Sequence, residues 1–307
     1  MLVRLHELAV IFVSIILQSL PFVLIGVFAS ALVQRYVSEG MVARWLPRHP
    51  LGAIGVASVF GFVAPVCDCG AIPLARRLAA KGVPTYAAVT FMLAAPVVNP
   101  IVLLSTLFAF GGSWTVAGLR MGMALMTAIV LGLATRALFP RARLARSAPR
   151  PVRGGSVHEA AEPVGARRGG GAGVLGVVGH ANREFFEVMF FVVLGALFTA
   201  AAQTLVPRGD LVALGGHPLW SVVALMPVAT VLSICSEADA FVARAFANTF
   251  TPGAVLAFMV IGQIVDLRNG FLMLRTLGPR LTATLAGLAY ALVFVLALAV
   301  NAVQPRF

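Results

Sequence analysis

Stretches free of Asp, Glu, Lys and Arg cover residues 8–34, 82–119, 121–135, 188–207, 211–236, 245–265 and 281–305, and Asp68 alone interrupts 49–75. A helix needs about 20 apolar residues to cross roughly 30 Å of hydrocarbon. Uniform apolar runs of this length predict an all-α, polytopic integral membrane protein. The first run carries Ala29-Ser30-Ala31, which resembles a signal-cleavage site. Its apolar stretch is longer than the roughly 7–15 residues of a signal-peptide core, so it is read as a retained first helix.

One segment departs from this pattern. From Arg141 to about Gly179 the chain is rich in Arg, Gly, Pro and Ala, with seven arginines and few large apolar residues. Such a composition cannot build a core and predicts a flexible linker. The chain therefore divides into a first membrane repeat over 1–140, a cytoplasmic linker over 141–179 and a second membrane repeat over 180–307. A shift of 168 positions places Cys67 on Cys235, Ala75-Arg76 on Ala243-Arg244 and Pro84 on Pro252. A shift of 167 places Phe91-Met92 on Phe258-Met259, Pro96 on Gln263 and Val98-Asn99 on Val265-Asp266. A near-constant offset over separate stretches predicts a duplication.

Charge then orients the two halves. The basic residues, 22 Arg and one Lys, fall mainly in the gaps between apolar runs. Positive charge is retained on the cytoplasmic side, so the linker and the loop 35–50, with Arg35, Arg44 and Arg48, belong inside. The Leu277–Arg280 turn falls inside with them, and the charge-free Gly111-Gly112-Ser113 turn falls outside. Helix 8–34 then starts outside while its counterpart after the linker starts inside. Two inverted repeats result, an arrangement common in secondary transporters; a parallel duplication is the alternative. Each repeat is expected to hold three crossings and one re-entrant hairpin.

Composition agrees with this picture. Of the 307 residues, 60% are hydrophobic and 11% charged, with a mean hydropathy of +0.97; soluble domains carry about a quarter charged residues. A net charge of +12 would suit a nucleic-acid binder, but its confinement to inter-helix gaps excludes that partner and leaves the lipid bilayer. The three cysteines form no secreted disulfide framework.

The chemistry gathers where the apolar pattern is interrupted. By rise per residue, Cys69 lies about 18 Å from Lys81, and Pro96 and Asn99 lie about 18–22 Å from Pro84, which is near the bilayer midplane. Glu237, Asp239, Gln263 and Asp266 reach the same depth in the second half. Pro96 and Pro100 flank Asn99 and interrupt a helix there, since proline lacks the N–H and clashes with the preceding turn. Broken helices at corresponding positions of two repeats mark binding sites, although a simple proline kink also explains them. Intramembrane carboxylates are costly and usually functional, so Asp68, Asp239 and Asp266 are read as proton or ion coupling residues. The structural alternative pairs Asp266 with Arg268 or Asp239 with Arg244. Cys67, Cys69 and Cys235 suit a thiophilic species, because thiolates select soft metals and metalloids. Packing as small hydrophobes and a redox disulfide are the competing readings. The five His are scattered outside the motifs, so no metal site and no cofactor are expected, and no catalytic residue is assigned.

Pro65-Val66-Cys67-Asp68-Cys69-Gly70-Ala71-Ile72-Pro73-Leu74, Ala94-Ala95-Pro96-Val97-Val98-Asn99-Pro100, Ser233-Ile234-Cys235-Ser236-Glu237-Ala238-Asp239-Ala240-Phe241 and Gly262-Gln263-Ile264-Val265-Asp266 together resemble the predicted-permease family that includes the ArsP-type organoarsenical efflux permeases. The resemblance spans both halves but not the linker, and implies a multi-pass permease of the cell inner membrane. The expected function is a secondary transporter, not an enzyme, that exports a small solute such as a trivalent organoarsenical. Substrate-binding residues are expected at Cys67, Cys69, Pro96, Asn99, Cys235, Glu237 and Gln263. The alternative is a membrane thiol oxidoreductase using Cys67 and Cys69. A small-molecule or metalloid substrate is the expected partner, and assembly as a homo-oligomer is left open.

Overall fold

A computed structural model of the chain describes residues 47–63 apart from 48, residues 68–140, residues 217–303 apart from 237, and single positions within 6–24 and 185–197. Cys67, Glu237 and the linker 141–179 lie outside the described residues. The described positions between 6 and 24 are helical, as expected of a first helix. Then come α1 (Pro50–Val63), α2 (Asp68–Ala80), α3 (Thr85–Ala94), α4 (Pro100–Ala109) and α5 (Trp114–Leu138). The second half contributes α6 (Pro218–Leu232), α7 (Asp239–Phe246), α8 (Pro252–Ile264), α9 (Leu267–Leu277) and α10 (Pro279–Val303). No strand occurs among the described residues, and the protein is an all-α membrane protein.

Proline and short polar caps set most helix starts. Pro100, Pro218 and Pro252 occupy the first turn of α4, α6 and α8, where a missing N–H has no intrahelical partner to lose. Ser113 opens α5 by accepting a hydrogen bond from the Val116 N–H at 3.5 Å. α2 stops at Gly82, whose φ of +99° is open to glycine. The Gly82 N–H bonds to the Ala79 carbonyl and the Val83 N–H to the Leu78 carbonyl, closing the helix end.

Among the described residues α5 and α10, 25 residues each, are long and apolar enough to cross a membrane alone. α5 contains the whole of the run 121–135 read from the sequence, and α10 most of the run 281–305. α8 and α9 join at a bend of 51° and together have crossing length. The other apolar helices are short, because the run 82–119 is cut at residues 95–99 and again at Phe110–Ser113.

The same helix order occurs twice. A pair (α1 and α2, α6 and α7) precedes two half-helices (α3 and α4, α8 and α9) and a long helix (α5, α10). The inner half-helices are the most enclosed: all of α8 is buried, and α3 is buried from Ala87 to Ala94. α3 packs on α1 and α5, and α8 packs on α6 and α10. The outer half-helices cross over, so that α4 packs on α7 and α9 packs on α2, while α5 meets both α8 and α10. Each half thus completes the other.

Lipid is as apolar as leucine, so helices in a membrane associate by close packing and hydrogen bonds rather than by excluding water. Small residues provide that packing here. A Cβ on Gly132 would lie 1.9 Å from Thr90 Oγ1, and one on Gly253 would lie 2.1 Å from the Ala297 carbonyl oxygen. α3 with α5, and α8 with α10, therefore touch almost backbone to backbone. The Gly253 N–H also donates to Asn301 Oδ1 at 2.7 Å. Outward side chains such as Phe108, Trp114, Met126 and Val295 are exposed, as a lipid-facing surface requires.

Candidate functional site

The two helix breaks are built alike. Asn99 is extended (φ −140°, ψ 156°) and caps α4, its Oδ1 accepting from the Val102 N–H at 2.9 Å. Its Nδ2 donates back to the Pro96 carbonyl at 3.2 Å and to the Ala95 carbonyl at 3.4 Å. One buried amide therefore serves the carbonyls that α3 leaves open and an N–H that α4 leaves open. Asp266 is extended in the same way (φ −121°, ψ 159°) and caps α9 through the Asn269 N–H. Its Oδ2 accepts from Asn269 Nδ2 at 3.0 Å. Asn99 and Asp266 are the two residues that the sequence shift superimposes, and both are buried at a break.

A second polar centre spans the two halves. Arg120, wholly buried on α5, donates from Nη2 to both Asp239 oxygens at 2.7 Å and to the Ser236 carbonyl at 3.1 Å. Its Nη1 donates to Thr106 Oγ1 on α4 at 2.7 Å. Asp239, the first residue of α7, is buried as well and also accepts from Gln263 Nε2 on α8 at 2.8 Å. Arg120 and Asp239 are 119 positions apart. Isolated buried charges are costly, while a paired and hydrogen-bonded couple is tolerated. The couple is incompletely satisfied: Arg120 Nε, Ser236 Oγ and Gln263 Oε1 are buried with no hydrogen-bond partner among the described residues.

A third contact links the second break to its neighbour. Ser233 ends α6 in the left-handed region (φ 45°, ψ 48°), the one such non-glycine residue described. Its Oγ accepts from the Leu267 N–H at 3.0 Å and donates to the Thr230 carbonyl at 2.9 Å. The turn after it runs through buried Cys235, whose carbonyl receives the N–H groups of Ala238 and Asp239.

The structure brings together part of the set named from the sequence. Asp239 and Gln263 are directly bonded, and Cys235 lies on the turn that carries Asp239. Pro96 and Asn99 form the first break and Asp266 the second. Asp68 and Cys69 open α2, which packs on α9, the helix that Asp266 caps. The alternative pairing of Asp239 with Arg244 is not formed: Arg120 takes the carboxylate. Arg244 instead sits exposed with its guanidinium 5.8 Å from the centre of the Phe110 ring, because on a short helix it points away from the first residue's face.

Arg120, Thr106 and Ser236 are the partners that sequence reading misses. Arg120 has a signal nonetheless, since it is the lone charge between Lys81 and Arg136, and a charge inside an apolar run calls for a partner. Among the described residues no group of three or more His, Cys, Asp and Glu is arranged to hold a metal ion.

A buried polar junction between two membrane-embedded halves, beside paired helix breaks, is architecture of the membrane-transport class. Residues 4–302 match the family ArsP_1, described as Predicted permease, and the chain belongs to that family. It is 40% identical over 291 residues to the UPF0718 protein YcgR of Bacillus subtilis, covering 95% of both chains. It is 32% identical over 294 residues to a Streptococcus mutans protein named "Putative two-component membrane permease complex subunit", covering 96% of this chain and 95% of that one. No solved structure matches. The protein is accordingly a membrane permease.

Proposed function

We propose that this permease is a secondary transporter of the cell inner membrane, built from inverted repeats over 1–140 and 180–307. It exports a small solute along a path between the two halves. The observation that carries this reading is the pair of broken helices, α3–α4 and α8–α9, each closed by a buried capping side chain at a corresponding position. Discontinuous helices in paired positions mark the substrate site of such transporters. Non-helical backbone at membrane depth also requires protein or a wet cavity around it.

The substrate proposed is a thiophilic species such as a trivalent organoarsenical, taken between the thiols Cys67, Cys69 and Cys235, the polar residues Asn99, Glu237 and Gln263, and Pro96. The carboxylates Asp68, Asp239 and Asp266 carry the coupling protons. The naming of the Streptococcus relative as a complex subunit supports a second membrane protein as partner, with a homo-oligomer as the other arrangement.

Flux into inside-out vesicles tests the reading. Phenylarsonous acid should accumulate with the wild-type protein under an imposed pH gradient. The Cys67→Ser, Cys69→Ser and Cys235→Ser triple variant should reach the membrane in equal amount and accumulate none. Normal accumulation by that variant removes the thiophilic assignment. Absence of flux with the wild-type protein for arsenicals, soft metals and thiols alike removes the export reading.

A further inference from the structure

The Arg120 guanidinium is held in an unusual way for so deeply buried a group. Asp239 takes only Nη2, with both carboxylate oxygens on one nitrogen, and Thr106 takes Nη1. The edge formed by Nε and Nη2, which normally grips a planar carboxylate or phosphate in a fork, is therefore half used. Among the described residues the Nε has no partner, and neither have two polar atoms in the same cluster, Ser236 Oγ and Gln263 Oε1. Both residues are already within one hydrogen bond of the ion pair: the Ser236 carbonyl bonds to Arg120 and the Gln263 amide to Asp239. The unused set is an N–H donor, a hydroxyl and an amide acceptor. An oxyanion that still carries one hydroxyl would satisfy all three, its oxygens accepting from Arg120 Nε and Ser236 Oγ and its hydroxyl donating to Gln263 Oε1.

Charge decides when such an anion can enter. Among the described residues the cluster is neutral, one guanidinium against one carboxylate. An anion alone would leave the site negative, and a proton alone would leave a bare guanidinium among apolar helices; each is strongly disfavoured at membrane depth. Entering together they keep the cluster neutral. We propose that Arg120, Ser236, Gln263 and Asp239 form a site for a small, singly charged, hydroxyl-bearing oxyanion, occupied only together with a proton on Asp239. The proton comes from solution and adds to an Asp239 oxygen. The carboxyl then releases Nη2, and the Nε–Nη2 edge takes the oxyanion. Equivalently, the neutral acid arrives, its O–H bond breaks, the proton goes to Asp239 and the conjugate base stays on Arg120. No other described titratable side chain on the packed elements competes: α4 and α8 have none, α5 has beyond Arg120 only Arg136 near its far end, and α7 has the outward Arg244. Cys235 is the titratable neighbour on the adjoining turn.

The inference rests on the permease reading and adds an oxyanion site to the thiophilic one proposed above, and binding to the purified full-length protein separates it from any statement about flux. Inorganic phosphate under mildly acidic conditions, methylphosphonate and formate are titrated in a weakly buffered solution with a pH indicator. Wild-type protein should bind the first two with uptake of one proton per anion, and bind formate, which lacks the hydroxyl, more weakly. Affinity should fall about tenfold with each added pH unit where Asp239 must be protonated to bind. Asp239→Asn, which mimics the protonated residue, should bind with no proton uptake and a flat pH profile, and the anion should raise its melting temperature. Arg120→Gln should bind neither. Wild-type binding without proton uptake, or absence of saturable binding, overturns the proposal even if no variant folds. So does an Asp239→Asn protein that melts cooperatively and ignores phosphate. Intact proton-linked binding with no flux in vesicles would instead count against transport.

Discussion

Replacing Asp239 by leucine removes both acceptors of Arg120 Nη2 and leaves the guanidinium only Thr106 Oγ1 and the Ser236 carbonyl. An arginine cannot shed its charge, so breaking this buried pair should cost about 3–5 kcal/mol of stability. Arg120→Leu is milder. The orphaned carboxyl keeps the Gln263 Nε2 bond at 2.8 Å and can discard its charge by binding a proton, which limits the loss to about 1–3 kcal/mol. The double variant leaves no charge at all. Two leucines facing each other between α5 and α7 should fall within about 2 kcal/mol of the wild type, as for other buried pairs replaced by apolar residues. The cycle should therefore return a coupling of at least about 2 kcal/mol. Reversible unfolding of the four proteins in mixed micelles, followed by tryptophan fluorescence, measures it. A double variant whose loss equals the sum of the single losses would refute the idea that Arg120 and Asp239 stabilise each other, and with it the view that they tie the two halves together.

Close approach at the glycines makes a second expectation. Gly253→Ala must push α8 from α10, because the obstructing atom is the Ala297 backbone oxygen; together with the strained Asn301 bond this should cost about 1–3 kcal/mol, read as a lower melting temperature. Gly122→Ala, with nothing within 4 Å of the added Cβ, should melt at or slightly above the wild-type temperature. For orientation, reporters fused at Pro151 and after Phe307 should fall on opposite sides of the membrane, inside and outside respectively. Both on one side would exclude the inverted scheme.

Much of this fold is legible in the apolar pattern, and the reason is physical. A helix in lipid must satisfy its own backbone, so length and uniform hydrophobicity locate it well; the run 121–135 lies wholly within α5. The first break is legible too, because Pro96 and Pro100 cannot both continue a helix through Asn99. Asp266 is legible as a charge inside an apolar run, and the break it closes through its alignment with Asn99. What escapes the sequence is pairing. Asp239 has a nearer arginine, Arg244, five positions along the same helix, and local spacing offers nothing to prefer Arg120. That choice is made by α5 and α7 meeting across the two halves, which no local pattern encodes. Thr106 and Ser236 are small polar residues of a kind common in membrane helices, and only their neighbours give them meaning.

The two breaks perform one task with different chemistry, and the difference has a mechanical consequence. Asn99 offers both an acceptor and donors, so one side chain ties α4 to the end of α3. The first break is thereby closed within its own segment. Asp266 has the acceptor oxygens but, as a carboxylate, no N–H to give back to α8. Its oxygens accept from the Asn269 N–H and Nδ2, within the helix it caps. The start of α9 is held instead from outside, by Ser233 of α6 receiving the Leu267 N–H. Ser233 also sits at the left-handed end of α6, where the chain turns towards Cys235, Ser236 and Asp239. A displacement of the turn that carries Asp239 is therefore transmitted along the chain to Ser233 and through its bond with the Leu267 N–H to the second break. The first break is tied to the ion pair more directly, through Thr106 of α4, which accepts from Arg120 Nη1 at 2.7 Å. A charge change at Arg120 and Asp239 should then be felt at both breaks, at α4 through Thr106 and at α9 through Ser233.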